Sequence, residues 1–209
     1  MKLGVVACRV LEKELRKVVG AGAAPHPIEF VEFALHCRPC RLRQVVIDKV
    51  NGLEGQVDAV FLGFGTCQSL EGIENEVRLP VVLPPADDCA ALLLGPERYW
   101  EELTRVAGTW FMTPGWCEEG VAGLVRALEL ERARRVGREP IELARLLFRS
   151  YSRVLFVDTG VGDRAKHEAQ ARDFAATFGL AFEMTEGTLE YLHEAYRAVT
   201  QRSIENVSV

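Results

Sequence analysis

The sequence predicts an α/β fold: a largely parallel sheet with helices on both faces, a Rossmann-like arrangement of three layers. Three observations carry this expectation. Short β-branched runs alternate with segments of helical period along nearly the whole chain. The clearest runs are apolar almost without interruption, as strands covered on both faces are. Each run ends in a small or polar cluster before the next helical segment, and strands that alternate with helices form parallel sheets joined by right-handed crossovers. The expected organisation is one α/β domain over 1–200 with a polar tail at 201–209; a division into two small lobes near 118–150 is the alternative.

Residues 3–7 (LGVVA) read as the first strand, followed by a helix through Leu11, Leu15 and Val18. The GAGAAPHP stretch at 20–27 is a loop by composition. Alternation of apolar and acidic residues over 28–34 suggests a second strand, and 42–50 a helix with Leu42, Val45, Val46 and Lys49 or Val50 on one face. The third strand is 57–62, running into Gly63-Phe64-Gly65 and a short helix from Ser69. Residues 80–83 give a fourth strand, after which Asp88 caps a helix through Ala91, Leu92 and Leu93 that Gly95-Pro96 stops. Residues 110–112 form a fifth strand, ending in Thr113-Pro114-Gly115-Trp116. A long helix then covers 118–136 and another 139–148. Strand 153–157, helix 164–178 ending at Gly179, strand 180–184 and helix 189–198 complete the chain.

Composition excludes several classes. With 209 residues the chain can bury a real core. Its net charge of −5, with acids and bases interspersed, lacks the basic stripe of a general nucleic-acid binder. The apolar run at 3–8 is too short for a signal sequence and has no cleavage site, and no stretch approaches the ~20 apolar residues of a membrane span. The expectation is a cytoplasmic protein with reduced thiols and neither membrane nor nucleic acid as partner. Its six cysteines then read as ligands, nucleophiles or core residues before they read as disulfides.

Their placement is the informative feature. Cys8 follows the first strand, His36 and Cys37 the second, Cys67 the third, Cys89 the fourth and Cys117 the fifth. In parallel sheets ligands bind at this carboxyl edge. Three thiolates and an imidazole, from Cys8, Cys67, Cys89 and His36, suit tetrahedral zinc. Such a site needs the sheet first, so metal would add to a fold rather than create it. Without metal, Cys67 is the nucleophile candidate, because a Gly-rich turn ahead of a helix lowers a thiol pKa; His36 is then the one base available. Cys37, Cys40 and Cys117 read as small buried hydrophobes. HCRPC contains one C-x-x-C, whose Pro39 argues against a thioredoxin-type helix start, and no second C-x-x-C follows to make a zinc ribbon. Gly63-Phe64-Gly65 reads as a tight strand-to-helix turn rather than a phosphate loop. Asp158-Thr159-Gly160 is either a ligand loop or a turn. His26, His167 and His193 read as exposed, and RARR at 132–135 as a solvated face.

Taken together the motifs resemble the uncharacterised prokaryotic domain-of-unknown-function family 1638. They are Cys8 with Glu12 or Glu14; Leu35-His36-Cys37-Arg38-Pro39; Phe64-Gly65-Thr66-Cys67; Asp88-Cys89 with Gly95 and Tyr99; and Pro114-Gly115-Trp116, with a looser match at Gly160, Glu183 and Gly187. The resemblance implies a site at Cys8, His36, Cys67 and Cys89, and an association with corrinoid-dependent methyltransferase systems. The expected function is a zinc protein acting in methyl or thiol transfer, as an enzyme or an accessory, on a small-molecule ligand or with a corrinoid protein. Cys67 would be the reactive thiol, Glu12 or Asp88 would orient the ligands or act as general base, and Gly65, Tyr99, Gly115 and Trp116 would wall the pocket. The alternatives are a non-catalytic corrinoid- or partner-binding module with a structural metal, and a metal-free cysteine-nucleophile enzyme.

Overall fold

The computed structural model describes residues 2–20, 27–33 and 35–205, the side chains of 67, 68 and 200–205 excepted. Strands β1 (Leu3–Cys8), β2 (Ile28–Val31), β3 (Ala59–Gly63) and β4 (Val81–Val82) make one sheet in the order β2-β1-β3-β4. Strands β5 (Thr109–Met112), β6 (Arg153–Asp158) and β7 (Ala181–Glu186) make a second in the order β5-β6-β7. Every pairing is parallel. The fold is therefore parallel α/β as expected, but on two sheets instead of one, with the change of sheet between Val82 and Thr109.

Strand position follows from sequence. β1, β3 and β6 are buried along their whole length and occupy the interior of their sheets. The other strands are edges, and are partly exposed. β1 is in register with β3 from Leu3↔Ala59 to Ala7↔Gly63, so the strands end level. Gly63 is required there, because a Cβ would lie 2.6 Å from the Ala7 side chain.

Helices α1 (Glu12–Val19), α2 (Pro39–Gly52), α3 (Cys67–Leu70) and α4 (Ala91–Leu94) come with the strands of the first sheet, whereas α5 (Pro96–Arg105) meets the second through Glu102 and Arg105. Helices α6 (Pro114–Ala127), α7 (Pro140–Leu147), α8 (Arg164–Phe178) and α9 (Glu190–Glu205) follow. The second strand stops at Val31, because residues 35–37 turn into a 3-10 helix. Pro39 is in the first turn of α2, where its missing N–H costs nothing, so it begins the helix it was expected to oppose. Pro96 does the same for α5, a helix the sequence reading lacked. The expected helix over 118–136 is broken twice: Gly120 takes φ 55° inside α6, and Glu129 takes φ 53° before a 3-10 stretch, Leu130–Val136. α8 matches expectation, with Asp163 accepting from the Lys166 N–H at its start and Gly179 in the left-handed region at its end. α9 returns to the first sheet's side and packs on α1 and α4, with Tyr196 edge-on to Phe61 at 5.5 Å. It extends the expected last helix to Glu205. Within the expected loop at 20–27, residues 21–26 including His26 lie outside the described residues, as do Ala34 and 206–209.

Candidate functional site

Because β1 to β4 run parallel, their carboxyl ends share one edge, and the segments leaving it carry the reactive residues. Cys8 ends β1 and is buried. Cys89 stands on the loop after β4, half-buried, with the two thiols within hydrogen-bonding reach of each other. Their coupling makes them unequal. The Cys8 thiol falls below its ordinary value chiefly because Cys89 donates to its sulfur, and the Val10 N–H and Arg9 help against burial and Asp88. Cys89, as the donor, is pushed well above its ordinary value by that bond, then by burial, while the Gly65 N–H pulls it back. The two thiols are thus unlike, Cys8 the easier to ionise and Cys89 the harder.

His36 is on the 3-10 turn after β2 and borders two cavities together with Cys8, Asp88 and Cys89. One cavity, of about 160 Å³, reaches under α2 and is lined by Val31, Leu35, Phe64 and Gly65. The other, of about 360 Å³, opens toward the second sheet between Tyr99, Trp110, Phe111, Trp116 and Tyr151. His36 has an exposed edge at their junction. Its apolar surroundings still push its pKa down, and Asp88 opposes that shift. Asp88 itself accepts from the Ala90 N–H at 2.7 Å and so shapes the approach to α4. Cys67 opens α3 after β3, the strand between β1 and β4, two residues beyond the Gly65 that touches the Cys89 sulfur; its side chain lies outside the described residues. Among the described residues no three His, Cys, Asp or Glu side chains are gathered closely enough to hold a metal.

The remaining expected site residues divide. Tyr99 and Trp116 are buried and wall the larger cavity. Gly115 instead packs on Val10: a Cβ there would overlap the Val10 carbonyl, so α6 and the 3-10 turn after β1 meet backbone to backbone. Glu12 faces a separate cavity with Gly115, and is ion-paired to Arg16 at 2.8 Å and to Arg9 at 3.3 Å. Cys37 and Cys40, expected in the core, are exposed. Cys117 is buried, and burial with help from Glu118 pushes its thiol up to about 12.

Trp110 and Tyr151 escaped the sequence reading. Trp110 looked like strand interior and Tyr151 like loop, and only tertiary packing brings both to the cavity. The Trp110 Nε1 is buried without a partner among the described residues. His167 is buried against Glu118 at 3.4 Å, which corrects its expected exposure. Glu118 also pairs with Lys13. Nearby, Glu14 is wholly buried and accepts from the Thr159 hydroxyl at 2.9 Å, its second oxygen having no partner. Asp158 of the same loop pairs with Arg164 at 3.1 Å and accepts from the Gly160 N–H, which makes the loop a self-satisfied turn. Arg132 and Arg134 on the 3-10 stretch pair with Glu129 and Glu131 and stay exposed.

Burial raises the Glu14 pKa above 4.5, against the hydrogen bonds of its own backbone and of Thr159. The folded chain therefore keeps this proton to higher pH than the unfolded chain. The stability it contributes is full below about 4.5 and is lost as pH rises through the folded value. Glu14→Gln keeps the Thr159 bond and removes the ionisation, so its melting temperature is expected to gain on the parent progressively between that pH and neutrality. A difference that stays constant with pH would mean Glu14 titrates as an ordinary carboxyl.

Fold and site together define a parallel α/β protein with a paired-thiol pocket where strand carboxyl ends converge. The family described as "Protein of unknown function (DUF1638)" matches residues 30–196, and the chain belongs to that family. No curated protein matches. Among solved structures, aspartate transcarbamoylase from Trypanosoma cruzi with carbamoyl aspartate and phosphate aligns over 88% of this chain and 56% of its own, at 13% identity and a TM-score of 0.24. The Trypanosoma cruzi aspartate transcarbamoylase structure with aspartate and phosphate gives 88%, 53%, 14% and 0.24. This chain spans little more than half the length of either, and likeness at that level carries no argument about activity. No helix among the described residues is long and apolar enough to cross a membrane.

Proposed function

We propose that Cys8, Cys89, His36 and Cys67 hold a zinc ion, and that this centre serves thiol or methyl-group transfer on a ligand in the adjoining cavity, with a corrinoid protein as methyl partner. The observation that carries the reading is the Cys8–Cys89 pair: two thiols from different strand ends that border the same two cavities with His36 beside them, and whose ionisation is mutually biased. The backbone N–H groups of Val10 and Gly65 stabilise thiolates and orient them toward a metal. The donor set of sulfur and imidazole nitrogen fits zinc and not the oxygen-seeking cations. A bound zinc would supply a cationic centre able to keep a substrate thiol deprotonated. The chain's own contribution is positional. Val10 and Gly65 fix the two sulfurs, His36 closes the junction of the cavities, and Asp88 offers a carboxylate at the mouth for a substrate proton.

Elemental analysis of the full-length protein purified under reducing conditions without chelators tests this. Near one zinc per chain is expected, lost in Cys8→Ser and Cys89→Ser with circular dichroism unchanged. Zinc that survives both substitutions, or its absence from the parent, overturns the proposal. The depressed Cys8 pKa favours one second reading, a metal-free nucleophile at Cys8. That reading requires a zinc-free protein whose Cys8 alkylates with iodoacetamide at neutral pH faster than any other thiol.

A further inference from the structure

The larger cavity has a chemical character that the zinc site does not account for. Its wall is aromatic: Tyr99, Trp110, Phe111, Trp116 and Tyr151. Three of these form a corner. Trp116 stands at 76° to Trp110 with centroids 4.9 Å apart, and Tyr151 at 84° with centroids 5.4 Å apart. Phe148 and Phe174 pack on Trp110 within the core and fix its plane. Among the described residues lining the cavity, Asp88 supplies a carboxylate and no lysine or arginine is present. Asp88 therefore sets a carboxylate against the aromatic wall. Burial first, and then Asp88, Asp87 and Cys89, hold the Tyr99 hydroxyl above its ordinary pKa. Zinc bound by three thiolates and a neutral imidazole would carry a net charge of −1, so loading the site does not offset the carboxylate.

Perpendicular aromatic faces beside a carboxylate select a bulky, weakly hydrated cation. A primary ammonium would need hydrogen-bond acceptors in place of its water, whereas a methylated onium group needs only apolar contact and the ring quadrupoles. Resting on the site proposed above, we infer that this cavity binds a methylated onium cation, a quaternary ammonium or a sulfonium, with its methyl groups against Trp110, Trp116 and Tyr151. The adjoining site would then hold its thiol centre at the far wall of the same cavity.

Zinc-loaded full-length protein is titrated with choline, with trimethylsulfonium, and with neohexyl alcohol, the neutral carbon isostere of choline, using calorimetry and tryptophan fluorescence. Choline or trimethylsulfonium is expected to bind about tenfold tighter than neohexyl alcohol, as a desolvated cation–π contact predicts. Which of the two cations binds better separates the ammonium from the sulfonium source. Tyr151→Leu, on the half-exposed side of the corner, is expected to abolish that preference while zinc content stays the same. Trp110→Leu is the harsher variant, and Tyr151→Leu keeps the test usable if it fails to fold. Equal affinity for cation and isostere, or no binding by zinc-loaded protein, overturns the inference. Cation preference in a protein without zinc supports the cavity while overturning the metal reading beside it.

Discussion

Replacing Arg153 with methionine is expected to cost about 3–5 kcal/mol, the usual result of breaking a buried ion network by removing one member. For a chain of this size that lowers the melting temperature by roughly 6–20 °C. The Arg153 side chain is 1% exposed at the start of β6, and each of its guanidinium nitrogens has a partner. Nε donates to the Thr109 hydroxyl at 2.8 Å, Nη1 to Glu183 at 2.6 Å, and Nη2 to the Glu102 carbonyl at 2.9 Å and carboxylate at 2.7 Å. One planar fork thus ties β5, β7 and α5 to the central strand of the second sheet. Methionine fills the space but leaves Glu102 and Glu183 with Arg105 alone. Burial pushes the Glu102 carboxyl up, but Arg153 and Arg105 together hold it below its ordinary value; Arg105, then Arg153, do the same for Glu183. Groups with depressed folded values stabilise above the unfolded pKa and lose that contribution as pH falls through the folded one. Denaturant unfolding of parent and variant should therefore show a gap that narrows from neutral pH into acid. A loss below about 1 kcal/mol would mean that water replaces the fork and that the network carries little.

Gly65→Ala is expected to abolish the zinc binding proposed above and to destabilise the fold by about 1–3 kcal/mol, the usual range for overpacking. A Cβ at position 65 would lie 2.5 Å from the Asp88 Cα and carbonyl carbon and 2.7 Å from its nitrogen. Backbone cannot turn aside as a side-chain end can, so the 87–89 loop must move. Cys89 moves with it, away from Cys8 and from the Gly65 N–H. The glycine is needed here for close approach, since its φ is not in the left-handed region. Zinc content and thermal unfolding of the variant check both effects. Full zinc occupancy in Gly65→Ala would show that the two loops can separate without disturbing the cysteines.

The parallel α/β class was legible because β1, β3 and the Val154–Val157 centre of β6 are apolar without a break, a pattern that strands covered on both faces show. Helix α8 was legible to the residue, because its cap and its terminal glycine are local signals. The split into two sheets was not. It depends on β5 pairing with β6 rather than with β4, a choice between distant partners that no local pattern records. Gly95-Pro96 stops α4 as expected, but Pro96 also opens α5, and Pro39 opens α2: in the first turn of a helix a proline costs nothing, a second role that its reading as a stop conceals. At the site, strand-end placement identified Cys8 and Cys89 as neighbours, since topology alone brings strand ends together. Trp110 and Tyr151 were missed because an aromatic residue looks the same in sequence whether it faces core or cavity. His167 was misjudged for a related reason: its burial depends on α6 and on Glu118, 49 positions away.

The return of α9 to the first sheet has a consequence for how the protein comes into being. Leu192, Tyr196 and Val199 cover Phe61 and the flanks of α1 and α4, so the first sheet is closed by a helix made only after the second sheet. A nascent chain that has completed β1 to β4 still shows a bare apolar flank throughout synthesis of the second sheet. Ribosome-bound chains ending before Leu189 should accordingly be sticky, protease-sensitive and dependent on chaperones, and emergence of α9 should close this flank.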